Sequence, residues 1–403
     1  RDSSTSRGLG DVYKRQIMGS ENRISHIIPV MLTFFTMGFV DLVGIATNYV
    51  KQDFGLSDTA ANSFSVMVFF WFLVFSVPTG MLMNKIGRKK TVLLSMVITF
   101  IGLLIPIFVY NDVAMFFVFS CLGIGNTLMQ VSLNPLLANM VCKDRLPSYL
   151  TLGQFIKAIA SFIAPLIAVH AALCYGDWKL LFYIFAAIDI IAIVYLFMMD
   201  IVEAEEKNES SSFKECIKLL GNTTIFLLFV GILVHVGIDV GVNITAPKLL
   251  QEKVGMSLAE AGYATSLYFL FRTFGCLSGT FIMAKFSPLK FFVVSVAMIF
   301  IGISCLYISM DSMSIYICVA LIGVGNSNIF SIIFSKALLY MPSRNNEISG
   351  LMIMGIFGGA IFPVFMGFMS DIFGGQIGAV VVLTVCVIYL LFLMIRIKNI
   401  ELE

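Results

Sequence analysis

Apolar runs of about 20 residues, long enough to cross the hydrocarbon core of a bilayer, follow one another along nearly the whole chain. They begin close to Ile24, Ala60, Lys90, Val113, Ser148, Trp178, Gly221, Ser257, Leu289, Met313, Glu347 and Gln376. Hydrocarbon offers no hydrogen-bond partner to a backbone N–H or C=O, so each run is predicted to be a helix. The expected fold class is therefore an all-α membrane protein with twelve transmembrane helices. Six runs precede and six follow the charged stretch from Asp200 to Lys218, whose Glu and Ser content reads as a solvated linker. The chain accordingly divides into a tail over 1–23, a six-helix bundle over 24–200, a cytoplasmic linker over 201–220, a second six-helix bundle over 221–397 and a tail over 398–403. Within the first tail, Arg1 to Gln16 are polar and basic, unlike anything after them, and read as a non-native scar outside the fold.

The two halves carry the same landmarks. Leu122-Gly-Ile-Gly-Asn-Thr127 returns as Ile322-Gly-Val-Gly-Asn-Ser327, an offset of 200 residues. Met83 and Lys85 return as Met283 and Lys285, Lys90 returns as Lys290, and Asp41 is answered by Asp239. Internal repeats of this size are a signature of secondary transporters, which hold a solute between two pseudo-symmetric halves near the bilayer midplane. The repeat breaks where chemistry would matter, because Gln130 and Asn134 stand where the second half has Phe330 and Phe334. A symmetric frame around an asymmetric site is the expectation, with the solute lying mainly against the first half.

Polar residues inside the spans fall at helical spacing. Asn126, Gln130 and Asn134 lie at i, i+4 and i+8 on the fourth span, and His235, Asp239 and Asn243 repeat that spacing on the seventh. Gln154, Lys157 and Ser161 share one face of the fifth. Such stripes suit a central aqueous cavity, although amides also serve as hydrogen-bonding glue between membrane helices. Charges at mid-membrane cost roughly 2.5 to 3.5 kcal/mol each on insertion scales, so Asp41, Lys157, Asp189, Asp239, Arg272 and Lys336 are each candidates for function. Asp41 is expected to pair with Lys157, and Asp239 with Arg272, either as working pairs or as static ones. Lys336 lies near enough to its helix end to snorkel. Asp189 has no obvious partner in the sequence.

Composition closes off other classes. With 59% hydrophobic residues, 12% charged residues and a mean hydropathy of +0.96, a soluble fold is excluded. If the N-terminus is cytoplasmic, 19 of the 26 Lys and Arg residues fall on that side and only 4 (Lys51, Lys179, Lys248, Lys253) on the other, so both termini are expected inside. The net charge of +2 is spread over short loops, which argues against a nucleic-acid partner. The eight cysteines show no CxxC spacing and read as packing residues, and three scattered histidines make no metal site. No metal, cofactor or enzymatic chemistry is expected, since no nucleophile–base pair or phosphate-binding glycine loop stands out.

Two segments carry a family resemblance. Gly80-Met-Leu-Met-Asn-Lys-Ile-Gly-Arg-Lys-Lys90, after the second span, resembles the loop motif of the major facilitator superfamily. That resemblance implies an inner gate built from Gly80, Asn84, Gly87 and Arg88, with Asn84 standing where the family usually has an acid. Ser349-Gly-Leu-Met-Ile-Met-Gly-Ile-Phe-Gly-Gly-Ala-Ile-Phe-Pro363, continuing to Gly367 and Asp371, resembles the eleventh helix of the fucose-galactose-glucose:proton symporter family. Asn134-Pro135, Gln154, Val236-Gly-Ile-Asp239, Arg272 with Gly275, and Asn326-Ser327 extend the likeness over both halves, roughly Ile24 to Ile397. Departures are specific: Gln130 replaces a family glutamate, as in glucose and galactose members, and Lys157 replaces an asparagine. The acid on the first helix is Asp41, while the family's own acid would align with Gly44.

The resemblance implies the major facilitator fold in a bacterial inner membrane and proton-coupled uptake of a monosaccharide or related small polar solute by alternating access. Asp41 and Asp239 are then the candidate proton-coupling acids, with Lys157 and Arg272 as their charge partners. Asn126, Gln130, Asn134, Gln154 and Lys157 are the candidate solute ligands of the first half, joined by Asn243 and Asn326 from the second. Two alternatives stay open: a carrier of an acidic sugar or organic anion that uses Lys157 and Arg272, and a sugar sensor that no longer transports. Solute, protons and lipid bilayer are the expected partners, and the oligomeric state is left undecided.

Overall fold

The computed structural model of the protein describes residues 27–56, 58–201, 213–256, 258–261 and 263–397. The tails over 1–23 and 398–403, the first residues of the first span, Ser257 and most of the linker lie outside the described residues. Among those described, eleven helices are long and apolar enough to cross a membrane. The first span completes the twelve as a shorter apolar helix, Ile27–Asp41, that tightens into a 3₁₀ turn at Gly38–Asp41 and continues as Leu42–Phe54 (together α1). The others in the first half are α2 (Asp58–Ile86), α3 (Arg88–Phe108), α4 (Asp112–Met140), α5 (Leu146–Tyr175) and α6 (Leu180–Met198). The second half comprises α7 (Thr223–Val254), α8 (Tyr263–Lys285), α9 (Pro288–Ile308), α10 (Ser312–Tyr340), α11 (Pro342–Phe373) and α12 (Ile377–Ile397).

The repeated Gly-x-Gly-Asn motif has a packing cause. A Cβ placed on Gly125 of α4 would come within 3.0 Å of the Ser95 carbonyl on α3, and one placed on Gly325 of α10 within 2.7 Å of the Ser295 carbonyl on α9. Each half thus needs a residue without a side chain where its third and fourth helices cross, as small residues allow close helix approach in membranes. The same symmetry sets helix starts. Asn111 caps α4 by accepting from the Ala114 amide at 2.7 Å, and Asp311 caps α10 from the Ser314 amide at 3.0 Å.

One end of each half is stapled to itself. At the end of α1, Asp53 accepts from the Tyr110 hydroxyl at 2.5 Å and from the Trp178 indole at 3.0 Å. Lys253, 200 residues on at the end of α7, donates to the Leu306 and Ser309 carbonyls, each at 2.9 Å. The halves meet at the opposite end, which carries the α2–α3 loop. There α2 crosses α11 so closely that a Cβ on Gly80 would lie 2.7 Å from the Asn346 carbonyl, and one on Gly350 would lie 2.7 Å from that of Ser76. The α5–α8 seam is tied by Ser148, whose hydroxyl donates to the Thr280 carbonyl at 2.6 Å. Ser349 of α11 donates to the Val131 carbonyl of α4 at 2.5 Å. The halves are therefore shut against each other at the α2–α3 end.

Candidate functional site

The first charged pair forms where α1 touches α5. A Cβ on Gly38 would meet Ala160 Cβ at 2.7 Å, and this close approach brings the next turn of α1 over Lys157. Lys157 Nζ stands 3.8 Å from Asp41 Oδ2, and the Ser161 hydroxyl, one turn further along α5, donates to the same oxygen at 2.5 Å. Asp41 is the more exposed partner, at 43% of its side chain against 20% for Lys157, so its carboxylate is not sealed by the pair.

In the second half, Arg272 Nε of α8 lies 3.4 Å from Asp239 Oδ1 of α7. The Tyr268 hydroxyl, one turn before Arg272, donates to that oxygen at 2.5 Å. Asn326 of α10 directs Nδ2 toward Tyr268 Oη at 3.0 Å and Asp239 Oδ1 at 3.4 Å, and its Oδ1 lies 2.8 Å from His235 Nδ1. Tyr268 was not among the residues singled out from the sequence. Its i, i+4 spacing to Arg272 is the signal that could have found it. The two pairs are neighbours across the α5–α8 seam, since Asp41 lies within electrostatic reach of Arg272.

The amide stripe of α4 is buried and laced to itself. Asn126 Nδ2 donates to the Met37 carbonyl of α1 at 2.6 Å, Gln130 Nε2 to Asn126 Oδ1 at 2.6 Å, and Asn134 Nδ2 to the Gln130 carbonyl at 2.7 Å. Asn126 therefore ties α4 to α1. Among the described residues, five buried side-chain amide atoms have no hydrogen-bond partner: Asn328 Oδ1, Asn345 Oδ1 and, on the candidate solute ligands, the three atoms Asn134 Oδ1, Gln154 Nε2 and Asn243 Oδ1. Because unsatisfied buried polar atoms are costly, these three are where a solute rich in hydroxyls would gain most. Asn243 Nδ2 is already taken by the Asp239 carbonyl at 2.7 Å. Asp189, fully buried on α6, also has both carboxylate oxygens without a hydrogen-bond partner among the described residues. Lys336 is partly exposed on α10.

At the closed end, Arg88 Nε donates to Asn346 Oδ1 at 2.6 Å, Asn346 Nδ2 to Asn84 Oδ1 at 2.6 Å, and Asn84 Nδ2 to Glu347 Oε1 at 2.9 Å. The acid absent from position 84 is thus supplied across the interface by Glu347 of α11. Gly87 turns the chain between α2 and α3 at φ 89°, a conformation that favours glycine. The short helix Phe213–Lys218 lies against α2 and α11 at this end, with Cys216 fully buried beneath it. Among the described residues, no group of three or more His, Cys, Asp or Glu side chains could hold a metal ion.

Comparison with known proteins places this geometry. The sequence is 26% identical over 394 residues to the glucose/galactose transporter of Brucella abortus, covering 91% of this chain and 92% of that one. It is 24% identical over 347 residues to a probable nitrate transporter of Staphylococcus epidermidis, covering 81% and 84%. The fold superimposes on FucP, the fucose:proton symporter of E. coli, in its outward conformation with a TM-score of 0.79 at 17% identity, covering 94% of this chain and 100% of that one. The model of the Major Facilitator Superfamily matches residues 30–356. With eleven spanning helices and one shorter apolar helix among the described residues and a charged pair within each half, the chain belongs to the major facilitator superfamily and is a membrane transporter, not an enzyme.

Proposed function

We propose that the protein takes up a monosaccharide together with a proton by alternating access. The observation that carries this reading is the half-open Asp41–Lys157 pair, an acid that can trade its cation for a proton, together with a partnerless amide atom on Gln154, one turn before Lys157 on α5, and another on Asn134 of α4. The likeness to the Brucella glucose/galactose transporter supports a hexose. A neutral Asp41 permits the solute to bind against Gln130, Asn134 and Gln154, with Asn243 contributing from the second half. The first bundle, 24–200, and the second, 221–397, then rock about the bound solute, joined by the linker over 201–220. The α2–α3 end opens to the cytoplasm, Asp41 releases its proton there, and its return to Lys157 resets the cycle. Solute and proton must each favour the state that binds them for the two flows to couple. In this reading the gate of Gly80, Asn84, Gly87 and Arg88 faces the cytoplasm of a bacterial cell, as do both termini.

The decisive measurement is uptake in vesicles by an Asp41→Asn variant. It should still exchange labelled glucose across the membrane but not concentrate it in response to a pH gradient. Uphill accumulation by that variant would rule Asp41 out as the coupling acid.

A second reading, transport of an organic anion, draws on Lys157 and Arg272 standing on adjoining helices and on the similarity to a nitrate transporter. Competition of labelled glucose by glucuronate separates the two. Much stronger competition by the acid, lost in Lys157→Gln, would favour the anion.

A further inference from the structure

The second-half pair is held by a chain of hydrogen bonds with one polarity. Asn326 turns its nitrogen toward Tyr268 and Asp239, so its oxygen faces His235 Nδ1 at 2.8 Å. An amide oxygen only accepts, so His235 must carry hydrogen on Nδ1. Tyr268 in turn donates to Asp239 Oδ1. Donors therefore run from His235 through Asn326 and Tyr268 to an ionised carboxylate, with Arg272 beside it. Asn326 and Tyr268 are both fully buried.

Asn326 also ends a helical segment. The helix α10 runs from Ser312 to Asn326, breaks, and resumes at Ile329. Helix α8 packs on that break through two glycines. A Cβ on Gly275 would meet Ser327 Cβ at 2.8 Å, and Asn328 Nδ2 donates to the Gly275 carbonyl at 3.1 Å. One on Gly279 would meet Asn328 Cγ at 2.6 Å. Arg272 and Tyr268 on α8 and Asn326 on α10 contact Asp239, while His235 on its own helix, held by Asn326, and the Cys276 thiol on α8, which donates to the Ser327 carbonyl, are within its electrostatic reach. Beyond them Asp41 reaches Arg272 across the seam. Against α7, helices α11 and α12 present Phe362, Met366 and Leu383, which are apolar.

We infer that Asn326 and Tyr268 are positioning residues for Asp239, and that a proton on Asp239 is relayed through Asn326 to the break in α10. The inference rests on the proton-coupled reading above. Tyr268, Asn326 and Arg272 all address Oδ1, so a proton on Asp239 sits on Oδ2 and turns Oδ1 from a charged into a neutral acceptor, which weakens the bonds made to it. The Tyr268 hydroxyl and the Asn326 amide then donate to a neutral carbonyl in place of a carboxylate, and the longer contact, from Asn326 Nδ2 at 3.4 Å, is the first to be given up. The contact that pins Asn326 is weakened at the residue where α10 is already interrupted, so the proton in the second half is converted into freedom for α10 to bend.

The test uses proteoliposomes containing wild type, Asn326→Ala or Tyr268→Phe. Glucose counterflow, which needs no net proton movement, is compared with uphill uptake driven by a pH gradient. In both variants the ratio of uphill uptake to counterflow should fall at least tenfold, and in Tyr268→Phe the counterflow KM should stay within twofold of wild type. A tenfold rise in KM in Asn326→Ala with an unchanged ratio would make Asn326 a sugar ligand and overturn the inference. Infrared difference spectra of the purified protein across a pH step need no solute. A protonated-carboxyl band that disappears in Asp239→Asn should change frequency in Asn326→Ala and Tyr268→Phe. An unmoved band, or no band belonging to Asp239, overturns the inference as well. If wild type carries no glucose in either protocol, the monosaccharide reading falls, and the infrared comparison decides the role of Asn326 by itself.

Discussion

Arg88 donates from Nε to the side-chain oxygen of Asn346 at 2.6 Å, so a residue at the first turn of α3 holds the start of α11 in the other half. Removing a hydrogen bond to a charged group costs about 1.5–3 kcal/mol, roughly a tenfold to hundredfold change in an equilibrium. Arg88→Ala should therefore move the population away from the form closed at the α2–α3 end. Distances between spin labels on the α2–α3 and α10–α11 loops would report it. An unchanged distance distribution would show that the gate is held elsewhere.

Cys216 offers a chemical reporter of the same gate. Burial foremost, then the neighbouring Glu347 carboxylate, pushes its thiol up to about 11, so the reactive thiolate is scarce at neutral pH. In a protein whose other seven cysteines are replaced, maleimide should label Cys216 slowly and Arg88→Ala should accelerate labelling several-fold. Equal rates in the two proteins would mean that Phe213–Lys218 stays docked when the gate loosens.

Gly80 is a steric requirement of closure. Its missing side chain lets the Asn346 carbonyl pass where a Cβ would sit 2.7 Å away, a distance that forces backbone apart. Gly80→Val should leave each half folded, because the clash lies between halves, while glucose uptake falls at least tenfold. Wild-type uptake by this variant would show that the two helices need not approach so closely during the cycle.

The staple at the far end of the first half titrates with a definite sign. Burial, then the hydrogen bond to Asp53, raises the Tyr110 phenol above its ordinary value of 10.0. A group that holds its proton more tightly when folded contributes stability that is full below the unfolded value and is lost as pH rises beyond it. Tyr110→Phe should lower Tm at pH 8, and its deficit relative to wild type should shrink above about pH 10. A deficit that is constant with pH would assign Tyr110 to packing alone.

Membrane physics made much of this protein readable in one dimension. Lipid accepts neither an unpaired peptide group nor an unpaired charge, so the twelve expected spans and the need of Asp41, Lys157, Asp239 and Arg272 for partners follow from where apolar runs stop and charges intrude. Hydrogen bonds between distant helices carry no such mark in the sequence. That Glu347 supplies the acid missing at Asn84, that Asn126 reaches the Met37 carbonyl, and that Tyr268 and Asn326 both close on Asp239 depend on how each helix is rotated and shifted against its neighbours. A rotation of one residue, about 100° on a helix with 3.6 residues per turn, would send any of these side chains to a different face. The amino-acid order therefore determined which groups must find partners inside the membrane, and only the packing of the two halves decided which partners they found.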